Sequence, residues 1–160
     1  MSSYGDSFDI VGFENIVRDG YFESPSGGLA QGSTVEYDSA GTLAGSQGVL
    51  KVAGAAAVLG GAGTGFAVYE HLMNEGAYNA NPANQAIPEG ARVVVVRGGG
   101  VKVKCVTAAT GAAVGNGVVP DASGGVSDTG VAFAAGDWGV VERVVNVDAG
   151  GDTVVVRLAA

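Results

Sequence analysis

The chain has 160 residues, enough for one domain with or without an extended arm. Its 29 glycines follow no three-residue period, which excludes collagen, and an apolar share of 47% excludes a disordered chain. Sixteen acids against eight bases give a net charge of −8, which repels phosphate backbones and argues against direct nucleic-acid binding.

Only Lys51, Lys102 and Lys104 are lysines. Acidity with scarce lysine suits a protein soluble in concentrated salt, where self-repulsion is screened. An ordinary acidic protein is the other reading. The N-terminus MSSYGDSFDIVGFENIV has neither a basic segment nor a long apolar stretch, so no signal peptide is expected. The most apolar window, VLKVAGAAAVLGGAGTGFAV, is too rich in glycine for a spanning helix. No membrane partner is therefore expected, and the reading is a protein made in a cytoplasm.

Residues 1–26 are polar with scattered aromatics: Tyr4, Phe8, Phe13, Tyr21 and Phe22. They read as an N-terminal arm that either buries those rings on a partner or folds back on its own domain. Residues 27–160 read as the β-domain. STVEYD alternates, with Thr34, Glu36 and Asp38 facing one way and Val35 and Tyr37 the other. GVLKVAG is a second strand; AAAVLGG is open between strand and helical turn. GFAVYEHLMNEG begins as a strand and leads into a long loop at 74–87, rich in Asn, Ala and Pro. Loops of that length in compact domains serve function or flexibility, and a contact with a neighbouring molecule is the preferred reading.

From Ala91 to Ala160 the chain alternates valine runs with glycine turns, giving about five strands. ARVVVVR is nearly continuous valine, as expected of a strand buried on both faces or set in a barrel wall. The glycines at 98–100 turn the chain, and VKVKCV reads as the return strand of a hairpin with ARVVVVR. There Lys102 and Lys104 share one face, and Val101, Val103 and Cys105 the other. Cys105, the single cysteine, is thus a small core residue rather than a nucleophile, and no intramolecular disulfide can form. GNGVVPDASGGVS is a strand and a turn; WGVVERVVNV and TVVVRL are the last two strands. The whole is an all-β fold, a small β-barrel or sandwich with an extended N-terminal arm.

Chemistry-bearing constellations are sparse. One histidine, His71, and one cysteine do not supply the three or four converging ligands of a zinc site. GGAGTG at 60–65 imitates a phosphate-binding loop but lacks the Gly-Lys-Ser/Thr ending. Close approach of another backbone is the simpler reading. Asp121, Asp128, Asp137, Asp148 and Asp152 lie in or beside turns, where aspartates bond to their own backbone. A calcium site among them is conceivable, without the spacing of a known calcium loop. No catalytic residue, cofactor or metal is expected.

Four ordered features carry a resemblance. GFAVYE, PEGARVVVVRGGGVKVKCV, AVGNGVVPDASGGVSDT and WGVVERVVNVDAGGDTVVVRLAA follow one another between about Gly65 and Leu158. In that order they resemble the small capsid decoration, or cement, proteins of tailed viruses. Asn116 stands where the family's Val-Gly-Asp turn has its Asp, and residues 1–60 lie outside the resemblance. It implies a non-catalytic structural virion protein on the outside of an icosahedral shell. Its partner would be the major capsid protein, and its state a homotrimer that strengthens the shell. The acidity would point to a tailed virus of a halophilic host, an archaeon in the first instance. Contact residues would be Tyr4, Phe8, Phe13, Tyr21 and Phe22 in the arm, and Tyr78, Asn79 and Asn81 in the loop. The alternative is a carbohydrate- or ligand-binding β-module, with Trp138 and Tyr78 as its aromatic platform; a small hydrolase is a third reading.

Overall fold

A computed structural model describes residues 9–12, 17–41, 48–69, 86–98, 100–148 and 151–159. Among them there is no helix. The strands are β1 (Asp9–Gly12), β2 (Val17–Glu23), β3 (Leu29–Ala30), β4 (Thr34–Asp38), β5 (Val49–Val52), β6 (Gly65–Tyr69) and β7 (Ala86–Ile87). They continue with β8 (Arg92–Arg97), β9 (Lys102–Val106), β10 (Asn116–Pro120), β11 (Val126–Ala132), β12 (Gly139–Asp148) and β13 (Gly151–Leu158).

The strands form two units. Strands β2, β5, β4, β6 and β8 close into a barrel, and β1, β9, β13, β12, β10 and β11 form an open sheet in that order. The short pair β3–β7 brings Leu29 and Ile87 into the barrel's core cluster.

The valine run of β8 explains how the units join. Val93 to Val96 are all buried. Strand alternation sends Val93 and Val95 into the barrel, where they pack with Val35, Leu50 and Ala67. Val94 and Val96 point out of the barrel and join Phe66 and Val68 in a second cluster. That cluster continues through Val101, Val103, Cys105, Val141, Val154 and Val156 on one face of the open sheet. One barrel wall thus has apolar residues on both faces because it separates two cores.

The expected hairpin between ARVVVVR and VKVKCV does not form. Both edges of β8 are taken, by β2 and β6, while β9 pairs with β1 and β13. The glycines between them carry the chain from barrel to sheet. Gly98 and Gly100 have φ of 130° and 85°, which a side chain would oppose. A hairpin would have left one valine face of β8 without a core.

The N-terminal segments are built into the sheets. β1 pairs with β9, setting Asp9 opposite Lys104. β2 pairs with β8 and meets β5 at Glu23 and Val49. These two stretches of the expected arm therefore lie on their own domain. Thr34 and Val35 are both buried, so β4 does not show the simple alternation read from STVEYD. The reason is a second tether: Thr34 donates its N–H to Gly124 O (2.8 Å) and its hydroxyl to Gly125 O (3.0 Å), docking the β10–β11 turn on the barrel. Residues 53–64 run as successive turns, neither the strand nor the helical turn open for AAAVLGG. Among the described residues, the region from residue 91 onward holds six strands rather than about five.

Candidate docking surface

One face of the open sheet packs on the barrel wall; the other does not. Val154 and Val156 face the core, so Val155 and Arg157 face outward. Register then defines two outward rungs: Lys104–Val155–Arg143 and Lys102–Arg157–Val140. Four of the chain's eight Lys and Arg side chains stand on these rungs. Between Val141 and Arg143 the register of β12 shifts, so Glu142 is the extra residue of a β-bulge. It reaches both Lys102 Nζ (2.9 Å) and Arg157 Nε (3.1 Å). Lys104 and Arg143 make no ion pair among the described residues.

The face is shallowly concave. A depression of about 370 Å³ is lined by Lys102, Glu142, Arg143 and Val155. A second, of about 430 Å³, is lined by Gly100, Phe133, Val140, Arg157, Leu158 and Ala159. Val155 is a buried apolar floor beneath charged side chains. Such a surface can hold acidic groups over apolar contacts.

The sheet's outer edge has the opposite character. Between Val106 and Glu142 the chain has no Lys or Arg and carries Asp121, Asp128 and Asp137. β11 pairs only with β10 over most of its length, leaving backbone groups unpaired within the described structure. Val131 (62% exposed) and Phe133 (44%) lie on or just after this strand.

The turn aspartates are engaged with backbone. Asp121 accepts from Ser123 and Gly125 N–H, at 2.7 and 3.0 Å. Asp137 accepts from Ala134 N–H. Asp128 accepts from Ala113 and Gly130 N–H and from Asn116 Nδ2. Asn116, where the decoration-protein pattern has an acid, is thus the amide donor to an acid across the sheet. Asp152 is buried; its Oδ2 accepts from Gly111 and Ala112 N–H, each at 2.9 Å, pinning the loop after β9. Among the described residues no three His, Cys, Asp or Glu side chains gather into a metal-binding group.

Cys105 is buried and free, and burial pushes its thiol up to about 12 from 9.0. In the GGAGTG loop the Thr64 hydroxyl is held within its own turn, accepting from Gly60 N–H and donating to Gly61 O. A Cβ at Gly65, whose φ is 155°, would stand 2.6 Å from Val96 O. The glycine therefore admits a neighbouring backbone, as the simpler reading had it.

Of the expected contact residues, Tyr4, Phe8, Phe13, Tyr78, Asn79 and Asn81 lie outside the described residues, as does His71. Tyr21 is on β2, with only its backbone described. Phe22 is half-buried against the barrel core, 6.4 Å from the Tyr37 ring. Trp138 cannot be an aromatic platform: it is 0% exposed. Its ring meets Phe66 edge-on at 6.1 Å, and its Nε1–H donates to Ala57 O at 2.9 Å. The residues that sequence reasoning missed are Arg143, Arg157 and Glu142. Their signal was present as charges on valine strands, but two bulges in β12 break the period that would have shown their common side. No helix of the described residues is long and apolar enough to cross a membrane.

No protein-family model matches the chain, and no curated protein matches it in sequence.

Proposed function

We propose that the protein is a structural, non-catalytic component of a virion that binds the outside of an icosahedral capsid and stabilises it. The observation that carries this reading is the placement of the resembling segment. From Gly65 to Leu158 it supplies β6 and β8 of the barrel and, apart from β1, the whole open sheet. The four motifs are thus successive parts of one scaffold around a shared core. A rigid scaffold with an open face and an open edge suits adhesion, since preformed surfaces lose little entropy on binding. Repeated weak contacts on a shell would add through avidity. The major capsid protein is the partner in this reading, and a homotrimer the state. A halophilic host would account for the acidity.

The test is co-sedimentation of purified protein with isolated capsids. Binding should saturate at many copies per shell, and saturated shells should withstand higher temperature before releasing their genome. Absence of saturable binding sinks the proposal. Deleting residues 1–22 to probe the arm would remove β1 and most of β2, so the suitable truncation removes residues 1–8. If the arm contributes, that truncation lowers shell affinity at an unchanged circular-dichroism spectrum; unchanged affinity removes those residues from the mechanism.

A further inference from the structure

We infer that the basic outer face of the open sheet is an interface for a second copy of this chain, receiving that copy's acidic β10–β11 edge. The inference deepens the proposed assembly on a shell by naming the surfaces that join the copies, and it rests on that reading only for its biological setting.

The face gathers Lys102, Lys104, Arg143 and Arg157 on two adjacent rungs, against Glu142 and the register position of Asp9. That is an excess of cations in a chain whose net charge is −8. Glu142 engages Lys102 and Arg157, which leaves Lys104 and Arg143 for an incoming acid. The edge carries Asp128 and Asp137 with no cation near them in sequence. It also exposes Val131 and Phe133 beside an unpaired strand, the kind of edge that proteins cover. Val155 on the face gives those apolar side chains a floor, next to the depression that this copy's own Phe133 shares with Val140.

Charge decides the symmetry of the contact. Face against face would oppose cations, and edge against edge would oppose aspartates; both arrangements are repulsive. Face against edge is attractive. Such a contact is heterologous, so each copy offers its edge to one neighbour and its face to another, and a ring closes when the rotation permits. The aspartates can serve without leaving their turns, because a carboxylate oxygen that accepts a backbone N–H keeps further lone pairs.

The experiment measures mass by sedimentation equilibrium over a range of salt, with circular dichroism as the fold control. Wild-type protein is expected to self-associate, more weakly as salt rises. Lys104→Glu with Arg143→Glu should raise the dissociation constant at least about tenfold, the equivalent of one close charge pair lost. Ser123→Lys with Ala132→Lys, which adds cations to the edge without touching its aspartates, should do the same. Mixing the two variants should restore association, because the first keeps the native edge and the second the native face, and the reversed face meets the reversed edge with opposite charges. If Lys104→Glu with Arg143→Glu does not fold, Arg143→Glu alone replaces it. An oligomer undisturbed by either pair of substitutions overturns the inference, as does failure of the mixed variants to associate. A wild-type monomer that still saturates shells overturns it too, and leaves capsid binding standing. An oligomer joined in this way that ignores shells supports the interface and overturns the proposed function instead.

Discussion

Two buried side chains carry the sharpest consequences at the residue scale. Trp138 fills the core between barrel and sheet and satisfies the Ala57 carbonyl. Trp138→Ala should cost about 3–5 kcal/mol in denaturant unfolding, the usual range for emptying so large a site. Trp138→Phe should cost less, keeping much of the volume while leaving that carbonyl without its donor. Cys105 is the second. Its thiol has a folded value of about 12 against 9.0 for an ordinary thiol. Below pH 9 both states hold the proton and the group contributes nothing to pH dependence. Between those values the unfolded chain releases the proton while the native chain keeps it, so stability falls as pH rises. Native protein should therefore resist a thiol reagent at pH 8 and react fully in denaturant, and Cys105→Ala should flatten the alkaline loss of stability. Rapid labelling of the native state would place the thiol at the surface, against its burial here.

At the scale of elements, the loop after β9 hangs on one carboxylate. Asp152 accepts two N–H groups from that loop, and Thr107 pairs with its backbone. Asp152→Asn puts an amide donor or a neutral oxygen where two N–H groups need a charged acceptor. The expected loss is about 1.5–3 kcal/mol, read from equilibrium melts. Amides of residues 108–113 should then exchange hydrogen faster while those of β8 remain protected. β2 is the other decisive element. It closes the barrel by pairing with β8, so removing residues 1–22 should expose β8 and bring aggregation, where removing residues 1–8 should not. Solubility and light scattering of the two truncations distinguish the cases.

Barrel and sheet share a core at the scale of the whole molecule. Phe66, Val68, Val94 and Val96 come from the barrel wall; Val103, Val141, Val154 and Val156 come from the sheet. Neither unit keeps those side chains from water alone, so thermal unfolding should be one transition by fluorescence and circular dichroism alike. Two separated transitions would show that the barrel and sheet are independent domains. Adding the tether of Thr34 to the β10–β11 turn, the edge strand is fixed to the barrel rather than free to swing. That rigidity is what makes the edge usable as a preformed docking surface.

Strand content, valine-rich cores and the inward side of Cys105 were legible in the sequence, because side-chain alternation and turn glycines are local properties. Valines on both sides of β8 likewise announced burial on two faces. What the sequence left open was which neighbours supplied that burial. A glycine turn between two valine strands permits a hairpin or a crossover, and only the prior claims of β2 and β6 on the edges of β8 exclude the hairpin. Trp138 shows the same limit: composition made it the one tryptophan and a candidate platform, while packing against Phe66 buried it. The basic face is the strongest case. Lys102 and Lys104 were seen to share a side, but Arg143 and Arg157 join them through strand order and two bulges, which are properties of pairing at long range.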